Sequence, residues 1–199
     1  MDKVSLNNQQ VVAKLHYLAM FCYKQVAVYN KHPAPDVSFK RLKDKMAMST
    51  PTVDRTNTVD YTKRYPSEEL HSAVNAFLGA MKLSTNTANW YVSEIGVQPK
   101  KWGWTAWNNS HLKKRKFIRF IYNRGTGVTH WVGNGEIKKI PDQHRGKDWT
   151  VLAGSMEGTQ WLADRNTGLE HPRFIFEISI PAKNLHEWEA AKEVIRNVQ

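Results

Sequence analysis

Three tryptophans within six residues, Trp102, Trp104 and Trp107, lie between Lys100-Lys101 and the run Lys113-Lys114-Arg115-Lys116. Ammonium and guanidinium groups neutralise phosphates and release the counterions condensed on a polyanion, while indole rings offer flat π-faces for stacking bases. The basic series continues through Arg119 and Arg124 to Lys138 and Lys139. Residues 100–147 hold twelve Lys/Arg against Glu136 and Asp142, and this window carries nearly all of the formal net charge of +11. The pattern predicts a surface for nucleic acid, DNA or RNA, or for another polyanion such as an acidic protein. Asn108, Asn109 and Ser110 add hydrogen-bonding groups suited to phosphates and base edges. The run 113–116 is expected to stand in solvent, so that its replacement by Gln weakens binding and leaves folding intact. At least one of the three tryptophans is expected to stack on the ligand instead of packing in the core.

Other chemistry is thinly represented. The eight histidines are scattered without metal-ligand spacing, and the one cysteine, Cys22, sits in an apolar helical pattern, so neither a metal nor a disulfide is expected. No phosphate-binding glycine loop is present, and no cofactor is expected. Glu136-Ile137-Lys138 has the Glu-x-Lys shape found in metal-dependent nucleases, with Glu94 as the near second carboxylate. Tyr122-Asn123-Arg124-Gly125-Thr126, then Trp149–Ser155 running into 156–165, then a strand at 174–180, resembles the layout of ADP-ribosyltransferases, a family in which a Ser-containing strand precedes a short helix. That resemblance implies NAD held by Arg124, a site supported by Ser155, and a catalytic carboxylate from Glu187, Glu189 or Glu193. These two enzymatic readings stand as alternatives to the principal one, a non-catalytic nucleic-acid-binding protein.

The elements that must position these residues change character near residue 85. Val11, Leu15, Leu18, Cys22, Val26 and Tyr29 recur at steps of three and four, the period of an amphipathic helix. Pro33 and Pro35 end it, a short polar helix is expected over 38–48, and 49–66 reads as a loop. Ser67 is placed to cap a helix whose apolar face is Leu70, Val74, Phe77, Leu78 and Met81. Beyond Asn89, segments 90–95, 117–123, 128–132, 136–140, 149–153 and 173–180 are rich in β-branched and aromatic residues and separated by turn formers. In the last of these Phe174, Phe176, Ile178 and Ile180 alternate with Arg173, Glu177 and Ser179, which predicts one core-facing and one solvent-facing side. Asn184 with Glu187 resembles a capping box, opening a final helix with Leu185, Trp188 and Ile195 on its apolar stripe. The expectation is one α+β domain over 1–199. Its parts are a helical region 1–85, a mainly antiparallel sheet formed by residues 90–180, and a C-terminal helix packed on that sheet. Lys14, His16, Lys24 and Gln25 interrupt the N-terminal apolar run, so membrane insertion is not expected and a cytoplasmic location is.

Overall fold

Asn8 starts the first helix: its side-chain Oδ1 accepts hydrogen bonds from the backbone N–H groups of Gln10 and Val11, both at 3.1 Å. Two of the orphan donors at the helix N-terminus are thereby satisfied. This helix, α1 (Gln9–Tyr29), buries Val11, Leu15, Leu18, Ala19 and Cys22, the stripe that the three-and-four spacing predicts. Among the described residues there are two further α-helices, α2 (Glu68–Ala80) and α3 (Leu185–Arg196). The computed structural model describes residues 1–29, 68–83, 90–98, 104–108, 114–133, 136–143, 148–156, 161–168 and 170–198. The expected helix at 38–48, the loop at 49–66 and the capping residue Ser67 lie outside them. Among the described residues no helix is long and apolar enough to cross a membrane.

The fold is α+β, with the three helices packed on antiparallel strands. There are two sheets where the alternation suggested one. The first contains β1 (Asp2–Val4), β7 (Trp149–Met156), β4 (Arg115–Tyr122), β9 (Arg173–Pro181) and β2 (Tyr91–Gln98), in that spatial order. The second runs β3 (Trp104–Asn108), β8 (Trp161–Asn166), β5 (Gly127–Gly133) and β6 (Glu136–Pro141). Every pairing among these strands is antiparallel.

Strand alternation divides the interior into two layers. Ile118, Phe120 and Tyr122 of β4, Val151 and Ala153 of β7, and Phe174, Phe176, Ile178 and Ile180 of β9 form one core with the helices. Phe77 of α2 meets the rings of Phe120 and Phe176 edge-on at 5.3 and 5.0 Å, the geometry that the aromatic quadrupole favours. The intervening residues point to the second sheet. There Phe117, Met156 and Leu162 form one apolar cluster and Ile121, Ile140 and Leu152 another.

Residues 173–180 are all buried, so the Arg173, Glu177 and Ser179 face of β9 is not solvent-facing as its polarity suggested; it is roofed by the second sheet. Two helical expectations are corrected in detail. Asn184 makes no side-chain cap hydrogen bond, and Leu185 is 47% exposed and lies off the buried stripe, which is formed by Glu187, Ala191 and Ile195. The segment 156–165, where the resemblance to ADP-ribosyltransferases implies a short helix, includes the start of β8, in which Leu162, Asp164 and Asn166 alternate inward with period two.

Candidate functional site

Between the two apolar clusters of the sandwich lies a row of buried charge. Arg119 and Arg173 are 0% exposed and Arg115 is 2% exposed. Arg173 Nε and Nη2 donate to the two carboxylate oxygens of Asp142 at 2.8 and 3.0 Å. Its Nη1 donates to Asp164 at 3.0 Å and to Gln98 at 3.1 Å, and its Nη2 also donates to Thr129 at 2.8 Å. All five guanidinium donors of Arg173 are therefore used. Arg119 bridges Asp164 and Glu177, its Nε donating to Glu177 at 2.9 Å, and Arg115 donates to the other oxygen of Glu177 at 2.9 Å.

Three buried cations thus face three buried carboxylates, and the row is neutral. Burial pushes the Asp164 carboxyl toward its protonated form, but Arg119, Arg173 and the Thr129 hydroxyl outweigh that and hold it at about 2. Asn123 donates to Asp142 at 2.6 Å, and the backbone of Gly127 passes so close that a Cβ there would lie 2.2 Å from the Asp142 carboxylate. Gly127 is the first residue of β5; its lack of a side chain makes room for this ion pair.

This row corrects the sequence reading at two positions. Arg115 and Arg119 were counted as surface cations, yet they point from β4 into the sandwich and are bonded to Glu177 and Asp164. Neither can reach a polyanion. The run 113–116 is consequently not a solvated turn throughout, and replacing all four residues by Gln would strip Glu177 of a partner. Lys114 is exposed, whereas Lys116 is half-buried with its Nζ 4.9 Å from the centre of the Trp188 ring. Lys192 approaches the same ring at 3.6 Å and pairs with Glu189 at 2.8 Å. Arg124 is exposed beside Asp148 at 3.5 Å. Lys138 and Lys139 are exposed on the edge strand β6. Lys100, Lys101, Trp102 and Lys113 lie outside the described residues, and for Trp104 and Trp107 the backbone positions in β3 are described.

The pairing register turns the outer surface of the four-stranded sheet into a grid. Lys139, His130, Ala163 and Ala106 form one row across β6, β5, β8 and β3. Pro141, Val128, Arg165 and Trp104 form the next. Position 107 belongs to the opposite surface, in the row of Leu162 and Trp131 that faces the first sheet. Lys139 and Arg165 are exposed, while His130 between them is 4% exposed. Burial and then the charge of Lys139 lower the His130 pKa to about 4; Asp164 pulls the other way, and Arg165 adds the smallest push downward. At neutral pH the imidazole of His130 is therefore neutral. Sequence reasoning missed Arg165 because it lies outside the basic window 100–147, and only the pairing of β8 with β5 and β3 places it beside Val128 and Trp104.

The enzymatic alternatives fare differently. Arg124 lies beyond the end of β4 next to Tyr122, whereas Ser155 pairs with Lys116 at the other end, about 25 Å along the strand. Trp188 of α3 donates to the Phe117 carbonyl at the Ser155 end, so the carboxylates of that helix are likewise remote from Arg124. Glu94 is on β2 and Glu136 on β6, strands at opposite lateral edges of the sandwich. Among the described residues no three His, Cys, Asp or Glu side chains gather into a metal-holding group. In comparisons with known proteins, the chain matches no family model and no curated protein sequence.

Proposed function

We propose that this protein binds nucleic acid through the exposed lysines and arginines of the 100–147 window other than Lys138, whose Nζ is given to the Met1 carbonyl, together with Arg165, and performs no catalysis of its own. The observation that carries this reading is the neutrality of the buried row. Arg115, Arg119 and Arg173 are matched by Asp142, Asp164 and Glu177, so removing all six from the count leaves the net charge at +11. The whole surplus stays with the other residues, among them Lys114, Arg124, Lys138, Lys139 and Arg165, all of which are exposed. A surplus of that kind attracts polyanions from solution and binds them by counterion release. The proposed setting is the interior of a cell, in keeping with a single thiol, Cys22, which burial pushes up to about 12 and so keeps unreactive.

Fluorescence anisotropy with labelled DNA and RNA oligonucleotides across a salt series tests the reading. Binding that weakens linearly in log–log form with salt is the expected result. Absence of binding at low salt to every oligonucleotide would overturn it, and capture of an acidic protein in its place would redirect the same charge to another partner.

A further inference from the structure

Resting on that reading, we infer that nucleic-acid phosphates are held at the corner where β4 begins and α3 starts, by Lys116 and Lys183, and that Trp188 positions Lys116 for this contact. Backbone pairing closes the corner. The N–H of Ala182 donates to the Lys114 carbonyl at 3.2 Å, and Lys116 lies opposite Ile180 in the pairing of β4 with β9. The end of the basic run therefore shares one surface with Lys183, which stands in the 3-10 turn Ala182–Asn184. Lys183 is exposed and Lys116 half-buried. Among the described residues no carboxylate pairs with Lys116 or Lys183.

Trp188 is the hub of the corner. Its indole N–H donates to the Phe117 carbonyl at 3.2 Å, which fixes the ring against β4. Lys116 and Lys192 place their ammonium groups 4.9 and 3.6 Å from the ring centre, so the two charges lie within about 8.5 Å of each other, the most that those distances allow. Like charges at that separation repel. Glu189, 2.8 Å from Lys192, offsets one of them, and Lys116 has no counterpart to it. The ring restrains the long stem of Lys116 without neutralising its charge, which leaves a pre-positioned cation for an incoming phosphate oxygen. A ring already engaged with two ammonium groups, its N–H bonded, is not a stacking platform for bases. The contact made here is therefore with phosphate and is indifferent to base sequence.

The test uses the full chain, two labelled DNA duplexes of unrelated sequence and a salt series, with melting temperatures measured alongside. Lys116→Gln and Lys183→Gln are each expected to stay folded, to weaken binding up to about eightfold at 0.1 M salt, and to take up to ~0.9 from the salt slope, by the same amount on both duplexes. Trp188→Phe, which keeps an aromatic face, is expected to retain most of the affinity, and Trp188→Leu to lose about threefold at a temperature where both are folded. Glu189→Gln is expected to tighten binding about threefold by removing the carboxylate from the corner. The same change at Glu170, near the Tyr122 end of β4, is expected to have less effect. A wild type that binds, with unchanged affinity and slope in folded Lys116→Gln and Lys183→Gln proteins, would overturn the inference while leaving nucleic-acid binding intact. So would losses that differ between the two duplexes, and equal affinities of Trp188→Phe and Trp188→Leu would overturn the role given to the ring. If the wild type binds neither duplex nor any single strand, the functional reading itself fails and this inference with it.

Discussion

Arg173 shows how one side chain can decide whether a buried polar layer is tolerable. Its two bonds to Asp142, with further bonds to Asp164, Gln98 and Thr129, leave no guanidinium donor idle. Arg173→Met would keep much of the volume but leave Asp142 without its bidentate partner and Asp164 with Arg119 alone. The expected loss is about 3–5 kcal/mol, read from urea unfolding at neutral pH, because an uncompensated buried charge costs more than the pair contributes. Acid should act in two stages, first at His130 on the outer side of the second sheet and then on this layer. His130 has a folded pKa of about 4, below the ordinary 6.5, so its contribution is complete above 6.5 and is lost as pH falls toward 4. Asp164, at about 2 against an ordinary 3.8, gives a second contribution, complete above 3.8 and lost as pH falls through 2. Unfolding midpoints measured against pH should therefore decline first between 6.5 and 4, and His130→Asn should flatten that first decline while leaving the second.

At the scale of elements, the edge strand β6 separates two adjacent lysines by role. Lys139 belongs to the outer row with His130, whereas Lys138 pairs with Trp131 on the inner side, and its Nζ donates to the Met1 carbonyl at 2.9 Å. Lys3 of β1 returns the contact by donating to the Pro141 carbonyl at 2.9 Å, so the two edge strands are laced across the open side of the sandwich. Lys139→Gln is expected to weaken nucleic-acid binding, and Lys138→Gln to leave it nearly unchanged with a stability loss of under about 1 kcal/mol. Anisotropy and thermal melts on the two single variants check this, and equal binding losses would show that the strand does not sort them. Sequence periodicity made α1, α2 and β9 legible because each has an uninterrupted apolar stripe. It failed where both faces of a strand are buried but one is polar. On β4, Arg115 and Arg119 alternate with Ile118 and Phe120 as a half-exposed strand would, and only the opposing Glu177 and Asp164, distant in sequence, reveal that the polar face is covered. The short β1 was missed as well, since three residues carry no period of their own.

For the whole molecule, the distribution of charge is the feature that joins fold to proposed function. The sandwich takes in equal numbers of cations and carboxylates, which fixes how its sheets meet and leaves the surplus outside. The basic window was legible as a run of residue types, but which of its members face solvent depends on strand direction and register, so Arg115 and Arg119 were misassigned and Arg165 was missed. The most direct measurement is the salt dependence of nucleic-acid binding in the wild type and in the Lys139→Gln protein. If Lys139 meets a phosphate, the variant should remain folded, bind more weakly, and lose up to ~0.9 from the slope of log affinity against log salt on duplex DNA, or ~0.7 on a single strand. A wild type that does not bind, or a folded variant with the same affinity and the same slope, would contradict the account.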